Sequence, residues 1–207
     1  MRPRRLKTVS RPVLVILGGL PATGKSTVAS ELNKGGAFSY VRIDALEQAL
    51  RDSGEMQARG VQGAGYMVGY AVAGNLLDGG NNVLVECVNP IEVTRAAWRD
   101  VAASHGAGLL EVELFCSSGK VHRARAESRT ITVPGLTPPT WEEIEAREFE
   151  PWPADGLVPI NEVSRIITVS TSLIGTKVTA WPLRDTASLP QCDTSPPQRD
   201  ASRVRRG

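Results

Sequence analysis

Short apolar runs alternate along the chain with stretches whose apolar residues recur at helical spacing. Val13-Leu14-Val15-Ile16-Leu17 is continuous and bounded by Pro12 and Gly18, the pattern of a strand buried on both faces. Thr27-Val28-Ala29-Ser30-Glu31-Leu32 reads as the first turns of a helix, which the paired Gly35-Gly36 bring to an end. A second strand is predicted from Ser39 to Asp44, ending on a carboxylate, and Ala45, Leu46, Ala49 and Leu50 then share one helix face. A further helix is predicted from Ala64 to Leu77, with Tyr66, Met67, Tyr70, Ala71 and Gly74 on its packed side. After the turn Asp78-Gly79-Gly80-Asn81, residues Asn82 to Val88 form a third strand with Glu86 near its carboxyl end. Asn89-Pro90-Ile91-Glu92 has the form of a capping box opening a helix that runs to His105-Gly106. Leu109 to Cys116 is the fourth strand and Arg165 to Val169 the fifth. Strands alternating with helices throughout predict a parallel α/β sheet.

The turn between the first strand and its helix carries the most specific chemistry. Gly19-Leu20-Pro21-Ala22-Thr23-Gly24-Lys25-Ser26, continued by Thr27, satisfies the phosphate-loop pattern G-x-x-x-x-G-K-[ST] in the strand-loop-helix setting that the pattern requires. Gly19 and Gly24 permit backbone turns closed to residues with a Cβ, so that successive N–H groups and a helix N-terminus converge on a phosphate. Lys25 then reaches the β- and γ-phosphates, and the Ser26 hydroxyl holds Mg²⁺. Asp44, at the end of a predicted strand, stands where open α/β sheets collect their ligands. Glu86 ends an otherwise apolar strand and needs a partner, because burying a lone carboxylate is costly.

A second informative region runs from Lys120 to Arg129, helical in pattern, with Arg125 and Arg129 one turn apart on one face and so placed to bracket an anion. Arg123 falls on another face, and His122 reads as a packed or solvated residue. Ile131 to Pro139 holds Pro134-Gly135 and Pro138-Pro139 and reads as an irregular connection; Thr140-Trp141-Glu142-Glu143 is a capping-box start to a short helix ending before Pro151-Trp152-Pro153.

Composition narrows the possibilities further. A chain of 207 residues with 41% hydrophobic content can bury one core. No apolar stretch approaches a membrane span, and the basic start is not followed by a signal-like run, so the expected location is the cytoplasm. Cys87, Cys116 and Cys192 match no metal spacing and read as reduced thiols. The net charge of +2 is small, and much of the basic charge sits in the two ends, which argues against nucleic acid as a partner. Residues 1–11 and 181–207 read as disordered tails around a domain spanning 12–172.

With these residues in view, the chain resembles the P-loop kinase group that includes chloramphenicol phosphotransferase, zeta toxins, gluconate kinase and adenylyl-sulfate kinase, and in particular its small AAA family ATPase-like members. The resemblance rests on Gly19 to Thr27, Arg42-Ile43-Asp44, Val85-Glu86, the His122 to Arg129 helix and Glu150-Pro151-Trp152, and covers about Pro12 to Thr171. It implies a P-loop NTPase three-layer sandwich with a five-stranded parallel sheet, the phosphate-loop strand in its middle, and a helical lid over about 117–153. It also implies that Asp44 binds the acceptor hydroxyl and takes its proton, and that Arg125 and Arg129 stabilise charge on the transferred phosphoryl group, with Lys25 completing the catalytic set. Glu86 stands where relatives often have aspartate, and three roles stay open for it: orienting Mg²⁺ with Ser26, binding acceptor, or structure.

The function expected is transfer of the γ-phosphate of ATP, with Mg²⁺, to a hydroxyl of a small molecule, a metabolite or an antibiotic. Two rivals are an ATP-binding regulatory or ATPase module without an acceptor, and a toxin-like kinase of polynucleotide ends or nucleotide sugars. No [NT]-K-x-D sequence supports a GTPase, and no L-S-G-G-Q-like signature supports a transporter ATPase.

Overall fold

Alternate residues of the central strand face two different layers, and this fixes the architecture. In the computed structural model, residues 11–54, 63–150 and 152 are described with their side chains and 164–170 by their backbone. Strand β1, Val13–Gly18, sends Leu14 and Ile16 into one core with Leu77, Val83, Val85 and Trp98, and Val15 and Leu17 into another with Ala29, Leu84 and Leu114. A strand covered on both faces has no solvent side to make polar, so it reads as an unbroken apolar run. Leu14, Ile16 and Leu17 are each 0% exposed, and burying a side chain of this size contributes about 1.5–3 kcal/mol.

Around β1 stand α1 (Lys25–Leu32), β2 (Ser39–Arg42), α2 (Ile43–Asp52), α3 (Ala64–Asp78), β3 (Val83–Glu86), α4 (Glu92–Ser104), β4 (Gly108–Phe115), α5 (Gly119–Ser128), α6 (Trp141–Glu145) and β5 (Ser164–Ser170). The sheet order is β2-β3-β1-β4-β5, and every neighbouring pair is parallel. The parallel α/β sheet with helices over both faces is as the sequence predicts. Four strands, β1 to β4, are described to their side chains, against the five predicted; β5 is described by its backbone ladder to β4 alone. The register pairs Leu17 with Glu86 and Glu86 with Arg42, so the carboxyl ends of three adjacent strands finish level. The predicted tails lie outside the described residues apart from Arg11, as do 153–163 and the domain limit at 172.

The structure corrects three local expectations. Strand β2 stops at Arg42, and Asp44 sits in the first turn of α2, where the helix dipole favours a carboxylate. The capping box predicted at Asn89-Pro90-Ile91-Glu92 does not form: Asn89 takes a left-handed turn (φ 52°), α4 begins only at Glu92, and Ile91 stands at its N-cap. The cap comes from elsewhere, with Glu92 N donating to Glu150 Oε2 at 2.6 Å. The same Glu150 carboxylate pairs with buried Arg95 at 3.2 Å, and Trp152 packs over that guanidinium and over Gly18, where a Cβ would lie 2.3 Å from its ring. The capping box at Thr140 and Glu143 does form.

The third correction concerns α3. Tyr66, Tyr70 and Gly74 face the packed side as predicted, but Met67 and Ala71 face solvent. The packed stripe is set by Gly65, Gly69, Ala73, Gly74 and Leu77. Glycines decide it because they admit close neighbours: a Cβ at Gly69 would lie 2.4 Å from Ile43 Cδ1. Tyr70 completes the seam with an edge-on contact to Trp98 at 4.5 Å between ring centroids. Gly69→Ala should therefore cost about 1–3 kcal/mol through overpacking, whereas Met67→Ala should change stability by no more than about 0.5 kcal/mol. Urea denaturation of the two variants measures the difference, and equal costs would contradict this choice of face.

Candidate active site

The loop after β1 is shaped by contacts that only its own residues allow. Gly19 has φ 135°, and a Cβ there would lie 2.1 Å from the Leu114 carbonyl oxygen, so no other residue fits. Gly19 N donates to Val88 O at 3.0 Å, and Thr23 Oγ1 donates to Leu20 O at 2.9 Å. Gly24 turns left-handed (φ 98°) at the N-cap of α1, which has neither a side-chain cap nor an acidic residue in its first turn. Its leading N–H groups carry the partial positive charge of the helix end and suit a phosphate.

Lys25 is buried and folded back on the loop, Nζ donating to Gly19 O at 2.7 Å and Leu20 O at 2.8 Å. Burial pushes its pKa down, and the carboxylates of Glu86 and Asp44 pull it back up. Ser26, at the mouth of α1, donates its hydroxyl to Glu86 Oε1 at 2.6 Å.

Glu86 is the centre of the polar cluster. Only 3% exposed at the end of β3, it accepts from Ser26 on one oxygen and from the Tyr40 hydroxyl on the other. Burial and the bond to Glu86 both push the Tyr40 phenol well above its ordinary pKa. Arg42 Nε stands 3.9 Å from Glu86 Oε1, its Nη2 lies 4.0 Å from Asp44 Oδ2, and its Nη1 donates to Thr132 Oγ1 at 2.7 Å. One guanidinium thus joins both carboxylates to the connection between α5 and α6.

These groups open onto one cleft of about 1090 Å³, which Lys25, Ser26, Asp44, Glu86, Arg125 and Arg129 all line. The structure therefore brings together every charged residue that the sequence singled out. Arg129 ends α5 with its Nε buried and without a hydrogen-bond partner; burial lowers its pKa and Asp44 opposes that shift. Arg125 lines the same cleft one turn earlier. Arg123 is turned away and pairs with Glu127 at 2.7 Å on the exposed face. His122 is packed, its Nε2 2.8 Å from the Pro21 carbonyl oxygen and its ring edge-on to Trp141, so it fastens the start of α5 to the phosphate loop.

Sequence reasoning passed over Tyr40 and Arg42 as site residues. Their signal was the period of two along β2, which puts both on the face opposite Val41, toward Glu86. Among the described residues, no three His, Cys, Asp or Glu side chains cluster for a metal. The Ser26 hydroxyl and Glu86 carboxylate still fit Mg²⁺, which takes few protein oxygens and completes its shell with water and phosphate.

Comparison with known proteins agrees with this geometry. The AAA domain family is matched over residues 14–135, more than half of the 207-residue chain. The fold is similar to a candidate kinase from Chloroflexus aurantiacus, at 23% identity and TM-score 0.59 over 79% of this chain and 87% of that one. It is also similar to a gluconokinase from Sinorhizobium meliloti (22%, TM-score 0.51, 77% and 83% of the two chains). A sugar kinase from Janibacter sp. is similar in the same way (14%, TM-score 0.52, 76% and 84%). No curated protein matches the chain. Among the described residues, no helix is long and apolar enough to cross a membrane. By family match the chain belongs to the AAA domain family, and its fold is that of the similar kinase structures.

Proposed function

We propose that the protein is an ATP- and Mg²⁺-dependent phosphotransferase that moves the γ-phosphoryl group of ATP to a hydroxyl of a small molecule. The observation that carries this reading is the shared cleft, whose lining brings an uncapped helix N-terminus with Lys25 and Ser26 together with Asp44, Arg125 and Arg129. The gluconokinase and sugar kinase similarities are in keeping with a hydroxyl acceptor.

The residues divide the work as the chemistry requires. Phosphoryl transfer is mostly positioning and charge stabilisation. The backbone from Gly19 to Thr27 cradles the phosphates, and Lys25 exchanges its bonds to Gly19 O and Leu20 O for the β- and γ-phosphate oxygens. Ser26 and Glu86 would hold Mg²⁺, which would supply charge neutralisation, and Tyr40 fixes the Glu86 carboxylate for that task. Asp44 orients the acceptor hydroxyl and takes its proton. Arg125 and Arg129 stabilise the charge on the phosphoryl group in flight.

Lys25→Ala should weaken ATP binding about tenfold or more, the worth of a charge-assisted hydrogen bond, as read by calorimetry; unchanged affinity and turnover would remove the loop assignment. Asp44→Asn should lower transfer about 10²- to 10⁴-fold while ATP still binds, with phosphorylated product followed by mass spectrometry; retained transfer would remove Asp44 as base. Tyr40→Phe should raise the Mg²⁺ concentration for half-maximal turnover about tenfold, and an unmoved Mg²⁺ titration would leave Glu86 without a metal role.

A further inference from the structure

The cleft reaches well past the phosphate loop. Asp44, Glu47, Gln48, Arg51 and Asp52 all line it from one polar face of α2, a stripe about 12 Å long at the helical rise. Toward its far end Gly135 approaches Gln48, where a Cβ on the glycine would stand 3.2 Å from Gln48 Nε2, and Gln48 in turn donates to Asp52 Oδ1 at 2.8 Å. Transfer to a single hydroxyl does not need so long a polar wall.

Glu47 is held in place by two neighbours. It lies one turn beyond Asp44 on the same face, so the two carboxylates are neighbours. Its Oε2 accepts from Arg51 Nη2 at 3.1 Å, and a Cβ at Gly65 of α3 would lie 2.3 Å from its Cγ. The side chain is thus wedged against a glycine and held by a guanidinium. Burial pushes its pKa up, and Arg51 works against that shift. Beside it opens a recess of about 110 Å³ that Asp44, Glu47, Tyr66 and Arg147 also line.

The chemistry of this wall selects an acceptor. It presents three carboxylates, the Gln48 amide and the Arg51 guanidinium, and a hydroxyl is the group that both donates to the first and accepts from the others. In the phosphotransferase reading Lys25, Arg125 and Arg129 serve the phosphoryl group, and Arg51 is paired with Glu47, which leaves Arg147 against the two carboxylates Asp44 and Glu47; a hydroxyl is matched there better than an anion. A flat aromatic acceptor would find no ring among the residues of the main cleft to stack on. We propose that Glu47 is a specificity-determining residue, and that the acceptor is an uncharged polyol presenting one hydroxyl to Asp44 and a neighbouring hydroxyl to Glu47.

This rests on the phosphotransferase reading. In the transfer, the first hydroxyl oxygen bonds to the γ-phosphorus, the bond from that phosphorus to the β-γ bridging oxygen breaks to leave ADP, and the hydroxyl proton passes to Asp44. Glu47 keeps its hydrogen bond throughout, so it acts on acceptor binding and not on the bond changes.

The test incubates the full chain with ATP and Mg²⁺ and, separately, myo-inositol, sorbitol, gluconate and chloramphenicol, for wild type, Glu47→Gln, Glu47→Asp and Gly65→Ala. An uncharged polyol should be the preferred acceptor. Glu47→Gln should raise its KM about tenfold or more, with kcat within about threefold and the KM for ATP unmoved. Gly65→Ala should raise the acceptor KM too, because its Cβ displaces Glu47, and Glu47→Asp should recover part of the loss. Preference for gluconate or chloramphenicol, or an acceptor KM indifferent to Glu47→Gln, would overturn the proposal and leave the phosphotransferase standing. Release of inorganic phosphate with no phosphorylated probe would overturn the phosphotransferase reading itself.

Discussion

A carboxylate buried among three parallel strand ends is the constraint on which the site depends. Glu86 closes a strand whose other residues are wholly apolar, and a carboxyl group at 3% exposure needs polar partners. Ser26 ties it to α1 and the phosphate loop, Tyr40 and Arg42 tie it to β2, and Arg42 reaches on to Asp44 and Thr132. The parallel register makes this possible by ending β1, β2 and β3 at one level, so residues far apart in sequence meet around one oxygen pair.

The same frame explains how the site is poised. Lys25 bonds to its own loop carbonyls, contacts that hold the loop in shape and that a phosphate can replace one for one. His122 fixes the start of α5 against Pro21, so Arg125 and Arg129 approach the cleft from an anchored helix. At the far side, Glu150 caps α4 and Trp152 covers Gly18, which fastens the chain leaving α6 to the root of the phosphate-loop strand. Arg95 sits between them, over the Trp152 ring, where removing either partner would leave a buried cation underpaired.

Much of this was legible in the sequence, and what was not has physical causes. The phosphate loop was legible because its geometry admits few residue types, as the 2.1 Å approach of Leu114 O to a Cβ at Gly19 makes plain. That Arg125 and Arg129 share one helix face is legible from their spacing alone. Asp44 reads from the sequence as the end of a strand and not the start of a helix, because an apolar run does not mark where a strand yields to a helix. The α3 face was misjudged because Met67 and Ala71 are apolar, while the neighbours that select the face, Ile43 and Glu47, come from another helix. The missing cap of α4 shows the same limit: Glu150 lies 58 residues from the amide it caps, and no local pattern announces it.

The central claim is that this cleft transfers phosphate to an acceptor and does not merely hydrolyse a nucleotide. Phosphorus NMR of ATP turnover by the wild-type chain with Mg²⁺ and a mixture of hydroxylated metabolites tests it most directly. The account predicts that γ-phosphate intensity moves into a phosphomonoester signal as ADP accumulates, and only when the mixture is present. Conversion of the same intensity into inorganic phosphate alone, at a rate indifferent to the mixture, would contradict it.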